Sequence, residues 1–368
     1  METIKTPFYA KATLIFIGLI ALFSVLYIGQ NIIVPLIYAI VIAIALSPMV
    51  DFFASKKIGR ITAIAITLTI VFLTTITFFA LLSTQMSVFA ESFPKLLDKF
   101  YEILNNTISW CSGNLGISSQ KINAYVSTTK EEIMNGSRSV IGSTISTIGS
   151  ALVVIFLIPV YVFMLLFYRP LLLDFIRRIF GVENQTEVNS VLSSTKTIIQ
   201  KYLGALVIEA AIIATLNSVG LLIIGIDYAI ALGVIGAILN VIPYVGGIVA
   251  VALPMMIALV TKSSSTYPLL VLALYIVIQF IDNHYVIPKV VASKVKINAL
   301  ISIIVILLGN ALWGLPGMFL SIPLTAILKV ICDHIEDLKP WGFLLGDTMP
   351  TISFFKIKTR KKPVALVE

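Results

Sequence analysis

The chain has 368 residues, 58% of them hydrophobic and 12% charged, with a formal net charge of +8 and a mean hydropathy of +1.03. A soluble domain carries about 25% charged residues, so a soluble globular fold is excluded and an all-α polytopic membrane protein is expected. The positive balance does not point to nucleic acid, because the basic residues gather in short loops beside apolar runs, as the positive-inside pattern requires.

The first apolar run, 14–28, follows a head containing Lys5 and Lys11. No small-residue cleavage site precedes the next run, so it reads as a retained helix rather than a signal peptide. Full crossings are expected at 13–28, 32–50, 61–83, 151–167, 204–226 and 268–288. The first two are joined by the uncharged Gly29-Gln30-Asn31. The loop after the second holds Lys56, Lys57 and Arg60, which with the basic head places the N-terminus and the 51–60 loop in the cytoplasm.

The third crossing then exits, and 85–150 lies outside the cell. That region balances Lys95, Lys99, Lys121, Lys130 and Arg138 against Glu91, Asp98, Glu102, Glu131 and Glu132. It is too long for a bare loop. Phe89, Phe93, Leu96, Leu97, Phe100 and Leu104 recur at helical spacing, so amphipathic helices are expected there. The fourth crossing returns to a basic segment with Arg169, Arg177, Arg178, Lys196 and Lys201, and the fifth exits at Asp227. The organisation expected is three helices in 1–84, an extracytoplasmic helical region in 85–150, a transmembrane core in 151–332 and a cytoplasmic tail in 333–368.

Two apolar stretches have the wrong length for a membrane. The stretch 228–260 breaks at Asn240-Val241-Ile242-Pro243-Tyr244-Val245-Gly246-Gly247, and 299–331 breaks at Gly309-Asn310-Ala311-Leu312-Trp313-Gly314-Leu315-Pro316-Gly317. A continuous helix of about 32 residues would be roughly 48 Å long, against ~30 Å of hydrocarbon. Charge decides between one crossing and a re-entrant hairpin. Lys289, Lys294 and Lys296, and the tail with Lys356, Lys358, Arg360, Lys361 and Lys362, fall on the cytoplasmic side only if both stretches dip in and come back. The expectation is therefore six crossings plus two re-entrant hairpins entering from opposite faces, about eight segments in all. The hairpins resemble each other: an Asn, a Pro/Gly break, and a second Pro 14 residues after Asn240 and 13 after Asn310.

Interrupted, paired segments are the best sequence pointer to a transporter's substrate site, because freed backbone groups and half-helix dipoles can meet a polar solute or ion. Non-helical backbone at that depth otherwise needs protein or water around it. The pathway candidates are thus Asn240, Pro243, Gly246, Gly247, Asn310, Gly314, Pro316 and Gly317, against a bland reading as plain hairpin turns. Gln279, Asp282 and Asn283 add a polar stripe near the end of the sixth crossing, with Gln279 and Asn283 at i, i+4. The stripe reads either as a pathway wall or as an interfacial helix end. Glu209 lies inside the fifth crossing, where an ionisable group is costly and marks function by default. Coupling to a proton or cation, through Glu209 or Asp282, stands beside a position near the cytoplasmic interface, two turns from Lys201. His334, with Asp333 and Glu336, reads as a solvated helix end rather than a metal site, and Cys111 and Cys332 suit neither a metal nor a disulfide.

There is no Walker loop, no His-Glu-x-x-His pair and no nucleophile elbow, so no catalytic residue, metal or cofactor is expected. Three functional classes remain: a permease for a small polar solute, a cation–proton antiporter, and a non-transporting scaffold or receptor using 85–150.

The run Gln279-Phe280-Ile281-Asp282-Asn283-His284-Tyr285-Val286-Ile287-Pro288-Lys289, the run Gly309 to Pro323, the upstream Asn240-x-x-Pro243-Tyr244-Val245-Gly246-Gly247 and Ile158-Pro159-Val160-Tyr161-Val162-Phe163 together resemble the AI-2E (autoinducer-2 exporter) family of bacterial permeases. The chain departs from similar sequences at Ala292, where Gly is common. The resemblance implies an inner-membrane protein of about eight segments that forms homo-oligomers and exports a small solute. Some members are linked to autoinducer-2 and others to sodium–proton exchange.

Overall fold

The computed structural model describes residues 7–115, 156–240, 245–262, 264, 266–292 and 295–347. Among these every extended element is helical, and the single strand-like contact is a bridge between Ile297 and Gly346. Helix α1 (Phe8–Ile28) and α2 (Gln30–Ser55) are separated by Gly29 alone. Leu14, Ile15, Phe16, Ile20 and Phe23 of α1 are all exposed. A helix that is apolar all round yet unburied by protein is one that lipid covers.

Helix α3 (Arg60–Leu115) is 56 residues long, about 84 Å at ~1.5 Å per residue. The third crossing expected at 61–83 is its first half. The separate helical region expected from 85 does not begin there, because the same helix continues to Leu115. Residues 116–150 of that region lie outside the described residues. Helix α4 (Phe156–Phe167) is followed, after Tyr168, by α5 (Arg169–Ile179), bent by 66° from it. Helix α6 (Gln185–Ile224) begins well before the expected 204, so the basic stretch ahead of the fifth crossing is helical too. Helix α9 (Thr266–Ile281) passes directly into a π-helical segment, Asp282–Ala292, which carries Pro288 within it.

The two break-containing stretches fold as helical hairpins. In the first, α7 (Ala229–Asn240) is followed by α8 (Val245–Thr261); Pro243 falls outside the described residues. The arms meet where Gly236 faces Ala250, a Cβ at Gly236 falling 3.5 Å from the Ala250 methyl. The second is α10 (Ala299–His334), in which Trp313 (φ −136, ψ 15) and Gly314 (φ 62, ψ −144) leave the helical conformation. The φ at Gly314 lies in a region that side chains avoid, so the chain can reverse there. Its reversal is visible in the contacts: a Cβ at Gly317 would sit 2.0 Å from the Gly309 carbonyl oxygen, and one at Gly309 would sit 2.1 Å from Ser321 Oγ. In a straight helix residues 309 and 317 would be about 12 Å apart. The arms touch backbone to backbone.

Two hydrogen bonds fix the tip of this second hairpin. The Trp313 indole Nε1 donates to the Leu26 carbonyl of α1 at 3.0 Å, and the Tyr38 hydroxyl of α2 donates to the Pro316 carbonyl at 3.1 Å. Asn298 caps α10, its Oδ1 accepting from the Leu300 amide at 2.9 Å. After a 3₁₀ turn, α11 (Lys339–Leu345) brings the chain back, and the Asn298 amide donates to the Leu345 carbonyl at 2.9 Å.

Packing falls into linked groups. Ala39, Ala43, Ala63, Ile64, Val162 and Leu166 join α2, α3 and α4 through small residues that let backbones approach. Leu221, Leu232, Ala258 and Val271 join α6 to α9. Leu320 of α10 sits between Val41 and Ile199, tying the groups together.

Overpacking a close backbone contact costs about 1–3 kcal/mol. Gly317→Ala is expected to lower the thermal unfolding midpoint of the purified protein in detergent. Gly18→Ala, where a Cβ meets nothing within 4 Å, serves as the control and stays at or above the parent.

Candidate functional site

Helix α6 presents Tyr202, Leu206 and Glu209 at i, i+4 and i+7, one face of a 3.6-residue helix. Opposite, α9 presents Tyr275 and Gln279, and its π-helical continuation adds Asp282 and Asn283. Widening the helix at Asp282 changes the register, and such bulges recur at functional sites. The first hairpin supplies Asn240 from the end of α7 and Gly247 from the first turn of α8. These groups line a cavity of about 780 Å³. The lining is completed by the apolar Val291, Val295, Ile297, Ile306 and Ile322, several of them packed on Tyr202, and by Ser302 and Asp347. Among the described residues its lining includes three carboxylates, Glu209, Asp282 and Asp347.

Asp282 is the centre of the polar groups. It is 1% exposed, and its Oδ2 accepts from Asn240 Nδ2 at 2.8 Å. Its Oδ1 has no partner among the described residues; the Tyr275 hydroxyl and Asn217 Oδ1 are in the same state. A buried polar atom without a partner costs about 1–3 kcal/mol, so this cluster is poised to accept a proton, a cation or a polar solute. Glu209 is 6% exposed and shares the lining with Asp282. Two carboxylates in a poorly solvated space repel unless a positive charge or a proton comes between them. Gln279 Nε2 donates to Asn283 Oδ1 at 3.3 Å, and a Cβ at Gly247 would lie 3.1 Å from Gln279 Oε1, so the stripe packs tightly on the hairpin.

Of the pathway candidates, the cavity gathers Asn240, Gly247, Gln279, Asp282, Asn283 and Glu209. Asn310 is exposed, and Asn310, Gly314, Pro316 and Gly317 do not line it. The second hairpin reaches the cavity with its arms, through Ser302, Ile306 and Ile322, while its tip is bonded to α1 and α2. Gly246 lies in the first turn of α8 and is not among the lining residues; Pro243 is outside the described residues. Tyr202, Tyr275, Ser302 and Asp347 were not expected. Tyr275 had a signal, since it precedes Gln279 by four residues and extends the polar stripe by one turn. Asp347 is brought in by the Ile297–Gly346 bridge, a long-range contact. His334 lies elsewhere, its Nδ1 2.7 Å from the Val330 carbonyl and its Nε2 3.0 Å from Ser190 Oγ. Among the described residues no cluster of three or more metal-ligating side chains forms.

Helices long and apolar enough to cross a membrane, with a mostly apolar cavity that holds buried carboxylates, define the class as an all-helical integral membrane protein. Residues 15–337 match the family described as "AI-2E family transporter", and the chain belongs to that family. It is similar to a protein of Borreliella burgdorferi named "Putative transport protein", 26% identical over 203 residues, 54% of this chain and 51% of that one. It is similar to "Putative transport protein YhhT" of Escherichia coli K12, 23% identical over 90% of this chain and 93% of the relative. It is also similar to "AI-2 transport protein TqsA" of Escherichia coli K12, 22% identical over 87% of this chain and 90% of the relative. The chain thus matches about half the length of the Borreliella relative and nearly all of the two from Escherichia coli.

Removing the Asn240 amide strands Asp282. Asn240→Ala is expected to destabilise the protein by about 1–3 kcal/mol. Combining it with Asp282→Asn in a double-mutant cycle, read by denaturant unfolding in detergent, should give a coupling of about 0.5–3 kcal/mol. Strict additivity would mean the pair is not coupled.

Proposed function

We propose that this cavity is the transport site of a secondary permease that moves a small polar solute across the bacterial inner membrane, with Asp282 and Glu209 carrying a coupling cation or proton. The observation that carries it is the buried Asp282 carboxylate, with one oxygen held by Asn240 and the other without a partner among the described residues. The two hairpins enter from opposite faces of a bilayer, both chain ends face the cytoplasm, and several copies assemble in the membrane. Asn240, Gly247, Gln279, Asn283 and the Tyr275 hydroxyl are the groups that meet the solute. Asn310, Gly314, Pro316 and Gly317 act by shaping the second hairpin, whose arms form the apolar wall. The name of TqsA makes autoinducer-2 the first solute to test, followed by a panel of small polar compounds.

The test is flux in proteoliposomes. Asp282→Asn and Glu209→Gln are each expected to lower solute flux by at least about tenfold, equivalent to ~1.4 kcal/mol, with the folded fraction unchanged by gel filtration. Asn310→Ala is expected to keep most of the flux. Undiminished flux in both acid variants would sink the assignment of the site.

A second reading, cation–proton antiport with no organic solute, is favoured by the two buried carboxylates, Glu209 and Asp282, that share one lining. A sodium gradient should then drive proton movement reported by an enclosed pH dye, and Asp282→Asn should abolish it. Dye signals that ignore both acid variants count against it.

A further inference from the structure

Helix α5 has no place in the cavity, and none of its residues is buried. It nonetheless carries a regular apolar face. Leu171, Phe175 and Ile179 lie one turn apart, and Leu172 and Ile176 fall beside them, within a contiguous arc of the helix. Leu171, Phe175 and Ile179 are 64%, 60% and 60% exposed. The opposite arc holds Asp174, Arg177 and Arg178. An apolar face left this open is incompatible with water on both sides of the helix.

The setting says what covers it. Helix α4 ends at Phe167 and α5 turns away by 66°. Arg60 donates to the Leu166 carbonyl at 2.8 Å, and Asp51 pairs with Arg169 at 3.2 Å and with Lys196 at 3.7 Å. These charges mark the level at which α2, α3, α4 and α6 leave the hydrocarbon. A helix that turns at that level runs along the membrane rather than through it, and three arginines and an aspartate in 11 residues exclude a continuation across. The polar arc is suited to phosphate. Arg177 uses its Nε toward Asn189 Oδ1 at 3.0 Å and Arg178 its Nε toward Asp174 Oδ2 at 2.8 Å. Both guanidinium forks keep their terminal amino groups for an anion.

We infer that α5 is an interfacial helix that docks on the bilayer surface, its Leu171–Phe175–Ile179 face sunk among the acyl chains and Arg177 and Arg178 holding the phosphates of anionic lipid headgroups. Amphipathic helices of this composition bind in the interface plane, by apolar area plus attraction to anionic lipid. Its occupant is lipid, not a peptide or a second copy of the chain.

The experiment uses the full chain with Cys111→Ser and Cys332→Ser, reconstituted in nanodiscs, with a spin label at a cysteine replacing Phe175 or Asp174 in turn. The label at 175 is expected to collide with oxygen and to be shielded from a water-soluble nickel reagent, and the label at 174 to show the reverse. In discs containing phosphatidylglycerol the label at 175 should sit deeper than in pure phosphatidylcholine, and Arg177→Gln with Arg178→Gln should remove that difference. A label at 175 reached by the nickel reagent overturns the inference. So does a label shielded from both reagents, which would place protein on the face. A depth indifferent to lipid charge overturns the headgroup assignment. None of these outcomes bears on flux through the cavity.

Discussion

Hydrocarbon offers no hydrogen-bond partner to a peptide group, and that constraint organises this molecule. Every break in a helix at membrane depth has to be sheltered by neighbours. The second hairpin meets the requirement by closing its arms until Gly309 and Gly317 touch, and by lending its tip to two side chains from α1 and α2. The first hairpin is sheltered on one side by α6 and α9. Its end residue, Asn240, spends its amide on the Asp282 carboxylate rather than on backbone. That bond satisfies one oxygen of Asp282, while the other is buried with no partner among the described residues.

The cavity suits a small solute of mixed character. Carboxylates, amides and tyrosines line it together with branched aliphatic side chains from α10 and the π-helical segment. Pockets of this kind take affinity from the apolar wall and orientation from few polar groups. Among the described residues Glu209, Asp282 and Asp347 are the carboxylates of this lining.

Much of this was legible in the sequence because membranes impose lengths. The stretches 228–260 and 299–331 were too long to cross once, and both fold back as hairpins. The spacing of Gln279, Asp282 and Asn283 placed them on one wall, and the isolated Glu209 pointed inward. What spacing could not carry was which hairpin tip faces the cavity. Asn240 and Asn310 occupy equivalent places in their hairpins, yet one is bonded to Asp282 and the other is exposed, a difference set by neighbours distant in sequence. Tyrosines within apolar runs read as packing, so Tyr202 and Tyr275 passed unnoticed. The spacing of Phe89, Phe93 and Leu97 is that of a helix, and α3 runs through these residues without interruption.

The glycine contact in α10 has a mechanical meaning. Arms that meet through their backbones cannot open like scissors without parting Gly309 from Gly317, so the hairpin behaves as a stiff wedge. It is held at both ends, by α1 and α2 at the tip and by the chain around α11 at the base. Ser302, Ile306 and Ile322 are thus offered to the cavity as parts of one rigid piece.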